Sequence, residues 1–372
     1  MPNSTAIPNS VQRIIIYRTG NLGDTMCTIP AMVAIRNRFP NAWIGLLTNK
    51  ETKGNPDPEN ILKNNDFLDE IFTYQVNRMY EFGYVWNLLK KLRSLRIDLL
   101  VYISLSKSTR CRLIRDWFFF KSTGCRRLVG FKLPKPAKIL RENGITIPVF
   151  PQEVDRLMSL LEPLGIDQKI IEFRLPIGEK DKLAVDNLWN RYALQGKTPV
   201  VAICPDSKFP LNRWRIGHFA HVASILHKRF GAAIMILGGP EQKKSGEEIS
   251  MKTGTSIVNL MGKTNYMEAA EIISRCNLLV SNDTGLVHAA AAVGTSVVGI
   301  YSSRNFPGAW HPWGERHTIL RDDSVPCRFC LRTECETKEC INNITVEDVI
   351  DACSAYLTEE KISVKREEVC SF

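Results

Sequence analysis

The most constraining stretch of this chain is Ser281-Asn282-Asp283-Thr284-Gly285-Leu286-Val287-His288, with alanines at 289–292 behind it. Apolar residues 278–280 lead in, and the run 295–301 leads out. This pattern predicts strand, polar turn, helix and strand: a βαβ unit whose glycine turn sits at the carboxyl end of its first strand. In open α/β sheets that is where ligands bind. A helix start also offers backbone N–H groups and the positive end of a dipole, which suit a phosphate. Thr284 and His288 are spaced i, i+4 and share one helix face. The alanines let the helix approach a neighbour closely.

The same alternation runs through the rest of the chain. Residues 13–17 form a buried strand that enters Arg18-Thr19-Gly20-Asn21-Leu22-Gly23-Asp24-Thr25, then a helix to about Arg38, with Pro30 marking a start or kink. Further strands are expected at 42–47, 71–73 and 99–103, and a helix at 153–164 closed by Gly165. A second set follows: strand 199–204, polar loop 205–211, helix 216–230, strand 233–237 closed by Gly238-Gly239-Pro240, and helix 268–275. Strands alternating with helices in both halves imply two parallel-sheet domains, and 372 residues suffice for two at ~150 each. The expected division is 1–171 for the first domain, 172–198 for a linker and connecting helix, 199–350 for the second domain, and 351–372 for a C-terminal tail.

Composition narrows the setting. With 44% hydrophobic and 24% charged residues, a sizeable core is expected. Apolar runs fall short of the ~18 residues of a membrane span, and the polar first ten residues lack a secretory apolar region. A cytoplasmic protein is expected, free or peripheral on the inner membrane face. The net charge of +10 is uneven: residues 90–141 hold fifteen Lys or Arg against Asp98 and Asp116, a net +13, leaving −3 for the remainder. Trp117-Phe118-Phe119-Phe120 lies inside this stretch. Basic and aromatic residues together suit nucleic acid. Alternatively, the stretch is ordinary core with a solvated charged face, which would absorb most of the aromatics.

Several residues carry candidate chemistry. Gly20 and Gly23 permit a tight turn, and Asp24 stands where a carboxylate takes a proton from an attacking hydroxyl or simply caps its helix. Asp283 beside a phosphate would be repelled, so it reads as a cap or a sugar ligand. Thr284 and Gly285 are left to face the phosphate. His288 donates a hydrogen bond, or a charge if protonated. Lys208 and Arg213 lie in a loop after a strand end, where cations neutralise a leaving diphosphate. Glu241 and Gln242 follow another strand end, within reach of a ribose. The chain has no Asp-x-Asp, no P-loop and no Gly-x-Gly-x-x-Gly after its first strand, which disfavours the chemistries those motifs serve.

Four of the eleven cysteines, Cys327, Cys330, Cys335 and Cys340, fall in one segment at 327–340. Their spacing fits a structural zinc or iron site as well as free or disulfide-paired thiols. No His and carboxylate set accompanies them, so a catalytic metal is not expected. Scattered cysteines such as Cys27, Cys204 and Cys276 read as core.

Taken together, Gly20-Asn21-Leu22-Gly23-Asp24 with Pro30-Ala31, Trp214 in its basic loop, Leu237-Gly238-Gly239-Pro240-Glu241, the 282–288 motif and the 307–317 segment resemble glycosyltransferase family 9, the ADP-heptose:lipopolysaccharide heptosyltransferases. The resemblance spans roughly 14–349. It implies a GT-B fold: two Rossmann-like parallel-sheet domains facing an interdomain cleft, with acceptor on the amino domain and nucleotide sugar on the carboxyl domain. It also implies inverting, metal-independent transfer to a lipopolysaccharide core or other envelope glycan. Asp24 matches the family's base. Gly23 and Thr25 flank it, and Asp283, Thr284, Gly285 and His288 match the donor turn. An anionic lipid-linked or phosphorylated glycan is then the better partner for the basic stretch, and nucleic acid is not expected. Two positions depart from the pattern. Asn212 stands where the family often has lysine, leaving Lys208 or Arg213 as the cation, and the ribose glutamate aligns nearer Gln242 than Glu241. Other readings are a nucleotide-sugar epimerase on the same fold, and a non-catalytic glycan- or nucleotide-binding protein with a metal knuckle.

Overall fold

The runs Ile14-Ile15-Ile16 and Val200-Val201-Ala202-Ile203 are apolar at successive positions, which suits a sheet covered on both faces. The computed structural model of the chain describes residues 11–50, 57–103, 109–142, 145–254 and 256–358 and builds both runs into such sheets. The expected polar amino terminus, 1–10, and most of the expected tail, 359–372, lie outside the described residues. The chain falls into two units, Met1–Pro176 and Ile177–Phe372.

The first unit runs β1 (Arg13–Arg18), α1 (Leu22–Arg38), β2 (Trp43–Asn49), α2 (Pro58–Ile61), β3 (Glu70–Tyr74), α3 (Phe82–Ser94), β4 (Leu99–Ile103), α4 (Arg110–Ser122), β5 (Arg127–Val129), β6 (Lys138–Glu142), β7 (Ile145–Val149) and α5 (Glu153–Ser159). Its parallel sheet has the order β3-β2-β1-β4-β5, while β6 and β7 pair antiparallel. Strand β1 is central, with Ile14 opposite Ile44 on one side and Leu99 on the other. One sheet face, through Ile15, Tyr17, Leu100 and Tyr102, packs on Leu92 of α3 and on Leu113 and Phe120 of α4. Elsewhere in the unit α1 packs with α5. Pro30 stands inside α1, not at its start. The helix expected over 153–164 stops at Ser159, and a separate 3₁₀ turn at Glu162–Leu164 closes on left-handed Gly165. Pro163 cannot donate the amide that a continuous helix would need.

The second unit runs α6 (Glu179–Arg191), β8 (Val200–Cys204), α7 (Ile216–Phe230), β9 (Ala233–Ile236), α8 (Lys243–Thr253), β10 (Val258–Asn259), α9 (Tyr266–Arg275), β11 (Leu278–Asn282), α10 (Gly285–Ala292), β12 (Ser296–Tyr301), β13 (His317–Arg321), α11 (Glu339–Asn342) and α12 (Val346–Ser354). Its six strands lie in the order β10-β9-β8-β11-β12-β13. Alternation along β8 splits the core. Val201 and Ile203 join α7 and α12 on one face, whereas Val200, Ala202 and Cys204 join α6, α9 and α10 on the other. Gly231, at φ 65°, ends α7 as the left-handed cap its position suggested.

Candidate active site

Both sheets reverse their strand order at one point. In the first unit β1 leads outward to β2 and β3, and the chain then returns to β4 on the opposite side of β1; in the second, β8 and β11 flank the corresponding point. Loops leaving the carboxyl ends of strands at such a switch point splay apart and leave a crevice. Each glycine turn singled out in the sequence leaves its sheet there: residues 19–24 after β1, and residues 283–285 after β11.

In the first unit the turn is built around Gly20. Its φ of +142° is a glycine conformation, and a Cβ there would meet the Asp24 carboxyl group at 2.6 Å. The Gly20 N–H donates to Asn49 Oδ1 at 2.8 Å, which ties the turn to the end of β2. Asp24 is the third residue of α1, half-buried, and its Oδ2 accepts the Asn21 N–H at 2.6 Å in a capping box. The capping role is therefore realised, and it fixes the carboxylate at the turn. Gly23 lies in the same first helical turn, half-buried. Thr25 corrects an expectation: it is fully buried, and its hydroxyl donates back to Asn21 O at 3.1 Å, so it supports the helix instead of facing a ligand.

Buried charges lie beneath this turn, and no local pattern in the chain marks them. Buried Arg18 donates to Asn21 O at 2.5 Å. Glu153 and Arg156 form a buried pair at 2.6 Å at the start of α5. Burial raises the Glu153 carboxyl above the usual range, Arg156 opposes this, and the Asp24 charge adds to it. Across the sheet edge, Arg112 of α4 donates to Thr19 Oγ1 at 3.1 Å.

In the second unit Thr284 is the N-cap residue of α10 and Gly285 its first helical residue, both half-buried. Asp283 is held from the side: Asn212 Nδ2 donates to its Oδ2 at 2.9 Å, and Ser302 Oγ donates to Asn212 Oδ1 at 2.6 Å. Ser207 Oγ donates to the Asp283 carbonyl at 2.6 Å. Asn282, wholly buried, accepts the Trp214 N–H at 3.3 Å and donates to Pro205 O. Asn212 is thus buried and occupied, and where the family pattern often has lysine this side chain braces Asp283. Arg213 is half-buried and its Nε donates to Ser207 O at 2.7 Å, while Lys208 is exposed in the same loop. Glu241 is exposed and Gln242 half-buried in the turn after β9.

His288 is buried against Trp310, ring centroids 6.3 Å apart. Burial pushes its pKa down to about 4, helped by the neighbouring His311 and His317. The alternative of a protonated, charged His288 is corrected accordingly: near neutral pH the ring is uncharged. Asp206, the second residue after β8, lies in the polar loop 205–211 and carries no motif of its own. It is buried, its Oδ2 has no hydrogen-bond partner, and burial raises its carboxyl to about 6 against the pull of Arg213. Its position as the first charged residue after a buried strand was the available signal.

Of the states left open for the cysteine segment, the structure shows free thiols. Among the described residues no group of three or more His, Cys, Asp or Glu is arranged to hold a metal ion. Cys327 and Cys330 are exposed, Cys335 is half-buried and Cys340 is buried, all as free thiols. Cys340 packs into a small apolar cluster with Leu211 and Val325, and burial raises its thiol pKa. The segment is fastened to the site loops by backbone bonds, Phe329 N–H to Ser303 O at 2.7 Å and Leu331 N–H to Arg304 O at 3.0 Å. Arg304, buried over Phe209, donates to Leu331 O at 3.1 Å.

Two parallel-sheet units, each with a glycine turn at its switch point, place the chain in the GT-B fold class. The solved E. coli ADP-heptose lps heptosyltransferase II superposes with a TM-score of 0.66 at 20% identity, over 94% of this chain and all of that one. The chain belongs to glycosyltransferase family 9 (heptosyltransferase), whose sequence profile matches residues 131–341. It is similar to the lipooligosaccharide heptosyltransferase 2 of Haemophilus influenzae, at 36% identity over 35% of this chain and 38% of that enzyme. It is also similar to the lipopolysaccharide heptosyltransferase 3 of Escherichia coli, at 25% identity over 92% of this chain and 98% of that enzyme. The first curated relatives are matched over 38% to 58% of their own length. No described helix is long and apolar enough to cross a membrane.

Proposed function

We propose that this chain transfers a heptose-like sugar from ADP-heptose, or a related nucleotide sugar, to a hydroxyl of a lipopolysaccharide core or other cell-envelope glycan on the cytoplasmic side. Family membership supports the transferase class, and the names of the similar enzymes support heptose, ADP and lipopolysaccharide. The single observation carrying the site assignment is the pair of glycine turns at the two switch points. The first presents a fixed carboxylate. The second presents a helix start whose own carboxylate is tied aside by Asn212.

In this reading the first unit takes the acceptor and the second the donor. The acceptor oxygen attacks the anomeric carbon as the bond from that carbon to the phosphate oxygen breaks, inverting the configuration in one displacement. Asp24 accepts the acceptor hydroxyl's proton, and ADP departs with the bonding pair. The amides at Thr284 and Gly285, with Lys208 or Arg213, stabilise the departing diphosphate. Neutral His288 acts by hydrogen bonding, not by charge. Glu241 or Gln242 contacts the ribose, and Asp283 serves as a support. No step calls for a metal.

A ligand-induced thermal shift with ADP-heptose, UDP-sugars and GDP-sugars, followed by product analysis with and without a glycan acceptor, tests this reading. Preference for ADP-heptose and acceptor-dependent release of ADP are expected. A preference for UDP or GDP donors, acceptor-independent epimerisation, or binding without turnover would overturn it.

A further inference from the structure

Helix α4 wears its apolar residues on the wrong side for a helix that only covers a sheet. Leu113, Asp116 and Phe120 face inward and are buried. Ile114, Trp117 and Phe118, spaced i, i+3 and i+4, face solvent at 58%, 39% and 63% exposure. Arg110 and Lys121 continue the same stripe one turn beyond each end, and both are exposed. The stripe therefore reads basic, apolar, apolar, basic. Beside it lies an open groove of about 500 Å³, lined by Arg110, Ile114, Trp117 and Phe118 and, from the chain after β5, by Phe131 and Leu133. Helix α3, which shares the α4 core cluster on the same sheet face, exposes Phe82 and Trp86 as a stacked pair.

The charge around this face is mostly positive, the exposed acids Glu162 and Glu81 being paired with Lys132 and Arg78. Both acids between positions 90 and 141 are turned inward: Asp116 accepts from Tyr102 Oη at 2.6 Å and from Arg115, and Asp98 accepts the Gln12 and Arg13 N–H groups. The net +13 of this stretch is thus carried by its bases, among which Arg110, Lys121, Arg126 and Arg127 are exposed. A second copy of the chain would set the Arg110 and Lys121 ends of this stripe against the same cations. A soluble phosphorylated glycan would satisfy the bases and leave the apolar groove unused. An anionic bilayer satisfies both, because headgroup phosphates meet the Arg and Lys ends while an acyl chain fills the groove. Tryptophan at the apolar–polar boundary suits that setting.

We propose that α4 is a membrane-docking helix that seats this unit on an anionic lipid surface, with an acyl chain in the Trp117–Phe131 groove. The Arg112 to Thr19 hydrogen bond ties this helix to the chain entering the Gly20 turn, so docking would bring the bilayer surface close to the carboxyl edge of the first sheet. The surface stands independently of the transfer reading, and its test reads binding, not turnover.

The test is co-sedimentation of the full chain with phosphatidylcholine vesicles, with and without about one third phosphatidylglycerol, at low and high salt. Binding to the anionic vesicles that weakens with salt is expected. The Trp117→Ala/Phe118→Ser double variant, altered only at exposed positions, is expected to weaken it about tenfold or more. Arg110→Ala/Lys121→Ala is expected to reduce the salt dependence. Brominated acyl chains should quench tryptophan fluorescence in the wild type and less in Trp117→Phe, a change too mild to unfold the helix. Three results would overturn the proposal: wild-type co-sedimentation of the double variant, equal binding to neutral vesicles, or a concentration-dependent dimer, seen by analytical ultracentrifugation, that Trp117→Ala abolishes.

Discussion

The turn after β1 and the turn after β11 occupy the same place in two similar sheets, yet they hold their aspartates in opposite ways. Asp24 sits inside the first helical turn and is fixed by a backbone N–H, above a layer of buried charges. Asp283 precedes the N-cap and is fixed by a side chain, and the imidazole behind it is neutral. Four positions along the strand–helix junction, from the residue before the N-cap to the third helical residue, thus decide what the turn presents. The first offers a carboxylate. The second offers a helix start with the carboxylate moved away.

The largest effect that separates the two turns concerns the buried pair beneath the first. Arg156→Met leaves Glu153 buried without its cation, and a loss of about 3–5 kcal/mol is expected in urea unfolding. An equal loss from a change beneath the second turn would break the contrast. Next, Asn212→Ala removes the bonds to Asp283 and Ser302. A loss of about 1–3 kcal/mol is expected, with a raised KM for the nucleotide sugar because the freed carboxylate competes with phosphate.

The smallest effect is in pH dependence. His288, held at about 4 against an ordinary 6.5, takes up its proton later than the unfolded chain does. It therefore costs stability as pH falls from about 6.5 toward 4. Asp206, raised from 3.8 to about 6, has the opposite sign: it costs stability as pH rises through that window, in full above it. Asp206→Asn should raise the thermal midpoint above pH 6 by the equivalent of about 1 kcal/mol and leave it unchanged near pH 4. A uniform shift at both values would show that the Asp206 charge is not at issue.

The alternating strands and helices were legible because each is a local pattern: Val201 and Ile203 against Val200 and Ala202, or Gly231 at the end of α7. The turns were legible for the same reason. The charge layer was not, because Glu153 lies far along the chain from Asp24 and only the packing of α5 on α1 brings them near. Nor could sequence show that Asn212, Asp283 and Ser302, from three different strand ends, form one chain of hydrogen bonds. Cysteine spacing left metal-bound and free thiols open because it does not record burial: Cys340 belongs to a small core with Leu211 and Val325. The aromatic run 117–120 divides, with Phe120 in the core and Trp117 and Phe118 outside it.

The most direct measurement is a side-by-side assay of Asp24→Asn and Asp283→Asn, reading sugar transfer and ADP affinity on the same preparations. If the first turn supplies the base, Asp24→Asn lowers kcat by about 100-fold or more with ADP affinity unchanged, and Asp283→Asn acts mainly on KM. Near-wild-type transfer by Asp24→Asn, or a loss of ADP binding in it equal to that of Asp283→Asn, would contradict the assignment of opposite roles to the two turns.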